Sequence, residues 1–196
     1  MAVEIHPISL PGVWDIGYAL DVHTIKSIPI GQDANGHVHF DSTRSEIGEL
    51  LYQFKYNGKH ENLNLIVDAI VSFLNDTPQI CSVETVLPVP PTKSRTYQPT
   101  MEIAYALAKR IGAYYCADVL ENTATDEMKH LTWEEKKKNP SPIKKKRNAI
   151  RKHNILLIDD LYKTGTTLTN CVNALREDPL VDKIYVLTIT KTKNTH

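Results

Sequence analysis

The feature that most constrains the fold of this chain is residues 154–170, which read NILLIDDLYKTGTTLTN. The apolar run at residues 155–158 predicts a short strand buried on both faces. Two adjacent acids, Asp159 and Asp160, end the run. A small, hydroxylated segment follows and opens a helix pattern, so the stretch indicates a strand–turn–helix unit.

The residue types after the strand predict a ligand site. Gly165 lets the backbone turn where a side chain would clash. Threonine hydroxyls and successive N–H groups at a helix start can bind a phosphate, helped by the helix dipole. Acids at the carboxyl end of a parallel strand lie where α/β sheets bind ligands, and they can accept hydrogen bonds from a ribose diol. A ribose 5-phosphate would satisfy both groups.

The same residues carry a family resemblance. Residues 158–167, IDDLYKTGTT, resemble the motif with which type I phosphoribosyltransferases bind 5-phosphoribosyl 1-pyrophosphate (PRPP): an apolar strand, two acids, a few variable residues and Thr-Gly-x-Thr. The resemblance implies a glycosyltransferase that moves ribose 5-phosphate from PRPP to a base-like acceptor. It implies that Asp159 and Asp160 bind the ribose and act in catalysis. It also implies a 5-phosphate site at Lys163, Thr164, Gly165, Thr166 and Thr167. A generic strand–turn–helix unit is the competing interpretation.

A second segment fits the same family. Residues 84–90 predict a strand that ends in Pro-Val-Pro, and a basic loop and a helix follow. The family seats pyrophosphate in such a loop, which implies that Lys93, Ser94 and Arg95 bind pyrophosphate and that Arg95 acts in catalysis. Arginine grips phosphate oxygens in a bidentate way, and lysine adds a point charge. A solvated loop with two bases is the alternative.

Two segments resemble the ComF-like branch of the family. Residues 51–58, LYQFKYNG, match its "lik-x-x-KY-x-G" segment, and residues 95–98 keep a basic residue, an aromatic and Gln of its loop. Lys55 and Lys59 are interpreted equally well as helix-end charges or as ligand contacts. The branch often carries an N-terminal zinc-binding cysteine cluster, whereas the first cysteine here is Cys81.

The basic segment at residues 123–152 leaves three interpretations open. It contains Lys136, Lys137 and Lys138 and, further on, a second basic run at residues 144–147. The family has a mobile hood here, so a lid over a polyanion fits the position. A nucleic-acid patch over residues 136–147 fits the charge. A solvated loop explains the lysines equally well.

The N-terminal part predicts an antiparallel hairpin appendage over residues 1–41, because near alternation surrounds Asn35-Gly36. His37 and His39 are interpreted as surface histidines rather than metal ligands, since the sequence places no acid or cysteine to join them. Ser42 or Thr43 is expected to cap a helix that runs to about Lys55. A second helix is expected over residues 61–74.

Composition limits the class of protein. The chain has 196 residues, is 41% hydrophobic and 23% charged, and has a formal net charge of zero, as expected for a globular protein. The three widely spaced cysteines predict free thiols in a reducing compartment. No apolar run approaches membrane length, and the N-terminus lacks the pattern of a signal peptide. We therefore expect a cytoplasmic protein without a membrane partner.

The predicted fold is a single α/β domain over residues 1–196, with a mainly parallel sheet flanked by helices. The family resemblance implies Mg²⁺, bound mainly through PRPP and water with Asp159 and Asp160 as its nearest protein groups. Its partners would be PRPP and an acceptor that the sequence does not identify, and a homodimer stays open. The alternative is a non-catalytic sensor of PRPP or a nucleotide, or a component of a nucleic-acid pathway.

Overall fold

The computed structural model describes residues 2–33, 36–80, 82–91, 97–123 and 141–193. The strands are β1 (Ile8–Ser9), β2 (Ile16–Val22), β3 (Thr24–Gln32), β4 (Val38–Arg44), β5 (Thr85–Pro88), β6 (Tyr114–Tyr115), β7 (Leu120–Asn122), β8 (Ile143–Lys145), β9 (His153–Tyr162) and β10 (Val181–Lys191). The helices are α1 (Glu46–Tyr56), α2 (Asn62–Asn75), α3 (Pro99–Ile111) and α4 (Thr166–Arg176).

The main sheet confirms the predicted α/β class. Its strand order is β1-β2-β10-β9-β5-β6, and every neighbouring pair is parallel except β1 with β2. β9 lies inside the sheet between β10 and β5. Its apolar residues serve two cores: Leu156 and Ile158 pack with α1, α2 and α3, while Ile155 and Leu157 pack with α4. Burial on both faces explains why this strand reads as a continuous apolar run.

The N-terminal appendage is smaller than the predicted residues 1–41. In the described N-terminal part, β3 and β4 form an antiparallel hairpin separate from the main sheet, whereas β2 joins the main sheet beside β10. The strand signal at residues 16–30 therefore covers two strands of different sheets. β2 takes its place because its adjacent residues Ala19 and Leu20 are both fully buried, one in each core. Asn35 lies outside the described residues.

Helix α1 begins two to three residues later than predicted. Ser45 is its N-cap and accepts a hydrogen bond from the Gly48 N–H at 3.1 Å. The Ser45 hydroxyl also donates to the Val22 carbonyl at 2.5 Å, which ties the start of α1 to the end of β2. Ser42 and Thr43 do not cap the helix because both pair with β3.

His37 and His39 lie on the exposed hairpin. Their Nδ1 and Nε2 atoms lie 3.3 Å and 3.7 Å from Asp33 Oδ2, so the structure provides an acidic neighbour that the sequence did not indicate. Across the described ranges, however, no group of three His, Cys, Asp or Glu side chains is arranged to hold a metal ion. Cys171 is a buried free thiol and Cys116 a partly buried one. None of the helices described here combines the length and apolar character needed to cross a membrane.

The central position of β9 gives a stability prediction. Leu157 is fully buried, so Leu157→Ala should lower the free energy of unfolding by about 2–5 kcal/mol, as lost apolar burial and a residual cavity combine. Urea unfolding measures this change. Leu65→Ala, at a position on α2 that is 40% exposed, is the matched control and should change stability by less than about 1 kcal/mol. Equal effects at both positions would contradict the assigned core.

Candidate functional site

The two acids of the predicted motif lie within β9 and on opposite sides of the sheet. Successive side chains of a strand alternate between its faces. Asp159 follows Leu157 on the α4 side, where its charge also acts on the buried thiol of Cys171. Asp160 follows Ile158 on the α1 side. The acids are therefore placed in different surroundings despite being adjacent.

Asp160 forms an ion pair with a lysine that is 105 positions away in the chain. Lys55 Nζ, from the last turn of α1, lies 2.5 Å from Asp160 Oδ2, and both side chains are mostly buried. α1 ends directly afterwards, because Gly58 adopts φ +65° and the N–H groups of Asn57 and Lys59 both return to the Gln53 carbonyl. This helix end holds Lys55 over the carboxyl end of β9. Lys59 instead lies near Glu61 at 3.8 Å, on the surface.

Asp159 carries an unusual charge balance. Burial raises its pKa to about 7, and the charge of Asp160 acts in the same direction. A hydrogen bond from the Asp160 backbone N–H to Asp159 Oδ1 at 2.8 Å and the Lys55 charge oppose this shift without cancelling it. Asp159 therefore changes its protonation near neutral pH, as is typical of groups in functional sites.

The turn after β9 opens the N-terminus of α4. Gly165 is the N-cap with φ +75°, and a Cβ at this position would lie 2.8 Å from Tyr162 Oη. Glycine therefore satisfies both the backbone conformation and the close contact. The Thr164 and Thr166 hydroxyl oxygens lie 3.1 Å apart beside this turn. The first backbone N–H groups of a helix lack intrahelical acceptors, which makes this end suited to an anion.

Two adjoining cavities bring the motif together. The first, of about 190 Å³, is lined by the segment from Leu161 to Leu168 together with Asp159. It therefore contains all five residues assigned to the 5-phosphate. The second, of about 270 Å³, lies between the ends of α1, β5 and α3 and contains both acids and Lys55. Asp159 and Thr167 line both cavities, so the two form one cleft at the carboxyl ends of β5 and β9.

Part of the predicted site falls outside the described residues. Lys93, Ser94 and Arg95 belong to this group, as do Lys136, Lys137 and Lys138. The flanking residues Pro91 and Gln98 both line the second cavity.

The second basic run lies in the described part of the chain, and three of its members are ion-paired. Lys145 pairs with Asp178, Lys146 with Glu121 and Arg147 with Asp118, at 3.5, 3.3 and 2.7 Å. These pairs satisfy within the protein much of the charge that suggested a nucleic-acid patch.

Sequence reasoning missed several residues of the second cavity. Thr100 and Met101 line it but belong to a helix whose pattern indicates only its buried face. Lys55 and Tyr56 had a signal, because both lie in the segment at residues 51–58 that resembles the ComF-like branch. The contact of Tyr162 with Gly165 also has no local sequence signature.

Comparisons with known proteins give only a distant likeness. No protein-family model matches this chain, and no curated protein does. Among solved structures, the UMP synthase of Leishmania donovani aligns with a TM-score of 0.40 and 12% identity. That match covers 82% of this chain and 27% of the other, so this chain spans about a quarter of that protein. An adenine phosphoribosyltransferase aligns with a TM-score of 0.47 and 15% identity, over 83% of this chain and 84% of the other.

Alignments at these identities and TM-scores carry no argument about the chemistry of the site. Membership of the narrower ComF-like branch stays a prediction.

The raised pKa of Asp159 gives a second stability prediction. The folded protein keeps a proton on Asp159 up to about pH 7, whereas an unfolded chain releases it near pH 4. Between about pH 4 and pH 7 the unfolded chain has released this proton and the folded protein has not. The free energy of unfolding therefore falls as pH rises through this range. Asp159→Asn should raise the free energy of unfolding at pH 8 by about 1–3 kcal/mol, and the gain should shrink towards pH 4.

Urea unfolding at pH 5 and pH 8 measures this difference. Asp41→Asn, on the exposed strand β4, is the matched control and should change stability by less than about 0.5 kcal/mol at both pH values. A loss of stability in Asp159→Asn at pH 8 would contradict the assigned burial and repulsion.

Proposed function

We propose that this chain is a phosphoribosyltransferase that binds PRPP, transfers ribose 5-phosphate to a base-like acceptor and releases pyrophosphate. One observation carries the proposal: the anion site at the start of α4 and the acid pair of β9 share one cleft through Asp159 and Thr167. A 5-phosphate and a ribose diol are one short linkage apart in the substrate. The cleft offers donors for the first and acceptors for the second.

The residues of the first cavity would bind the 5-phosphate. The backbone N–H groups and hydroxyls of Thr164, Thr166 and Thr167 are the donors, and the Lys163 ammonium supplies positive charge. The phosphate is remote from the reacting carbon. Its binding free energy therefore serves to hold the ribose in place for the reaction at C1.

The acids of β9 would act on the ribose. When the bond between C1 and pyrophosphate breaks, the ring gains positive charge and the electron pair leaves with pyrophosphate. Ionised Asp159 and Asp160 would accept hydrogen bonds from the ribose hydroxyls and stabilise the cationic ring. Lys93, Ser94 and Arg95 are proposed to bind the leaving pyrophosphate, supported by the position of Pro91 and Gln98 in the cavity wall.

The residues of the cleft fit Mg²⁺ if the substrate supplies most of its ligands. Two carboxylates are present, and within the described ranges no further His, Cys, Asp or Glu completes a protein-only site with them. Mg²⁺ typically keeps several waters and binds through one or two carboxylates plus phosphate oxygens. Asp159 and Asp160 are therefore the proposed protein contacts, and the ion would offset negative charge on pyrophosphate.

Ligand binding gives the first test of this function. PRPP with Mg²⁺ should raise the melting temperature, because a ligand that binds only the folded state stabilises it. Free ribose should give no shift. Differential scanning fluorimetry with PRPP, ribose 5-phosphate and nucleoside monophosphates measures this effect. If none of the three phosphate ligands shifts the melting temperature, the assignment of the cleft fails.

Substitutions separate the acids from the phosphate site. Asp159→Asn and Asp160→Asn should lower turnover more than PRPP affinity, because their charge matters most once the ring is cationic. Thr167→Val should raise the PRPP dissociation constant by about 0.5–3 kcal/mol through loss of a hydrogen bond to a charged group. Thr169→Val, on the same helix but outside both cavities, is the matched control.

The measurements are a PRPP titration and a rate of pyrophosphate release for each variant, with a panel of bases as acceptors. Changes confined to binding would identify a non-catalytic sensor of PRPP instead of an enzyme. Normal binding together with normal turnover in both Asp variants would refute the site and the mechanism.

A further inference from the structure

The second cavity has an exposed aromatic wall that the ribose and phosphate groups do not require. Tyr56, the last residue of α1, lines the cavity next to Lys55. Its side chain is 62% exposed, which makes it one of the most exposed large apolar residues described here. An isolated exposed tyrosine needs no explanation, but one in the wall of a ligand cavity does.

The Tyr56 ring is supported by an aromatic neighbour on the same helix. Tyr52, one helical turn earlier, packs against it with a ring-centroid distance of 5.2 Å. The Arg44 guanidinium lies 3.6 Å from the centroid of the Tyr52 ring, and Arg44 is itself ion-paired with Glu49 at 3.0 Å. Arg44, Tyr52 and Tyr56 thus form a supported row, in which Tyr56 is the member that lines the cavity. Such support lowers the entropy lost when a ligand stacks on the ring.

The remaining wall of the cavity has an apolar part, beside which Gln98 and Thr100 add hydrogen-bonding side chains. Pro90 and Pro91 extend from the end of β5, and Met101 lies in the first turn of α3. Proline rings and a thioether offer apolar contact surface without N–H donors. The charged groups of the cavity, Lys55 and the two acids, come from the end of α1 and the end of β9.

We propose that Tyr56 is the stacking platform for the base-like acceptor, whose planar ring would lie against it. This inference rests on the proposed function, since the ring must share the cleft with ribose 5-phosphate. Stacking on an aromatic side chain suits every planar base, because each has a π-face. Tyr56 would thus select for planarity, while hydrogen bonds from other groups would choose among bases.

A comparison of two ligands isolates the ring. Ribose 5-phosphate occupies the phosphate and ribose subsites alone, whereas AMP and UMP add a planar ring to the same group. Isothermal titration calorimetry should show tighter binding of at least one monophosphate than of ribose 5-phosphate to the wild type. Tyr56→Ala should remove about 5- to 150-fold of that monophosphate's affinity, the range for one base–aromatic stack. It should leave ribose 5-phosphate affinity within about twofold.

Three controls make the test specific. Tyr56→Phe keeps the ring and should retain the affinity for the monophosphate. Tyr105→Ala removes a tyrosine that is 47% exposed on α3 and outside the cavity, and it should change neither ligand. 5,6-Dihydro-UMP, whose saturated ring is not planar, should bind more weakly than UMP to the wild type, and Tyr56→Ala should reduce that difference.

The outcomes distinguish this inference from the function on which it rests. If the wild type fails to bind ribose 5-phosphate and PRPP, the proposed function falls and the inference with it. If ribose 5-phosphate binds but Tyr56→Ala leaves the monophosphates unaffected, only the role of Tyr56 is refuted, and the residue is an ordinary helix-end tyrosine. If no monophosphate binds more tightly than ribose 5-phosphate, the planar-ring slot is likewise refuted.

Discussion

The placement of two adjacent carboxylates directly after the buried run of the central strand is the constraint on which the rest of the structure depends. The run at residues 155–158 of β9 is apolar because it lies at the centre of the sheet, yet Asp159 and Asp160 follow it directly within the same strand. Two negative charges this close repel each other, and burial further penalises the charge of Asp159. The surrounding structure therefore has to supply compensation, and it does so differently on the two faces of the sheet.

On the α1 side the compensation is a full charge. Lys55 Nζ lies 2.5 Å from Asp160 Oδ2. Burial of the hydrophobic residues of α1, among them Leu51 and Phe54, places the end of the helix at this point. On the α4 side, within the described part of the chain, Asp159 receives only a backbone N–H and the more distant influence of Lys55. The result is one neutralised acid and one acid that holds its proton to about pH 7. Natural sites commonly retain such unfavourable arrangements where function requires them.

The local sequence predicts the strand–turn–helix unit well, because each of its parts is specified by neighbours in the chain. The apolar run, the acids, Gly165 and the helix after it all occupy the expected places. The contacts that complete the site are non-local, as with Lys55 and Asp160, and no periodicity reports them. The same limit explains the N-terminal region: alternation signals a strand, but it does not say that Ile16–Val22 joins the main sheet while Thr24–Gln32 joins a hairpin.

The different surroundings of Asp159 and Asp160 limit which ligands the cleft can bind. Because Lys55 already satisfies Asp160, the uncompensated demand for positive charge is concentrated at Asp159, which also lies where the two cavities meet. Positive charge that arrives there favours the ionised form of Asp159, and by linkage its binding must then release a proton. The N-terminus of α4 beside it instead favours a negative charge. A ligand that suits both must carry an anionic group at one end and develop or recruit positive charge a short distance away. A phosphorylated sugar reacting at its anomeric carbon has this distribution of charge, and a simple phosphate or a simple cation does not.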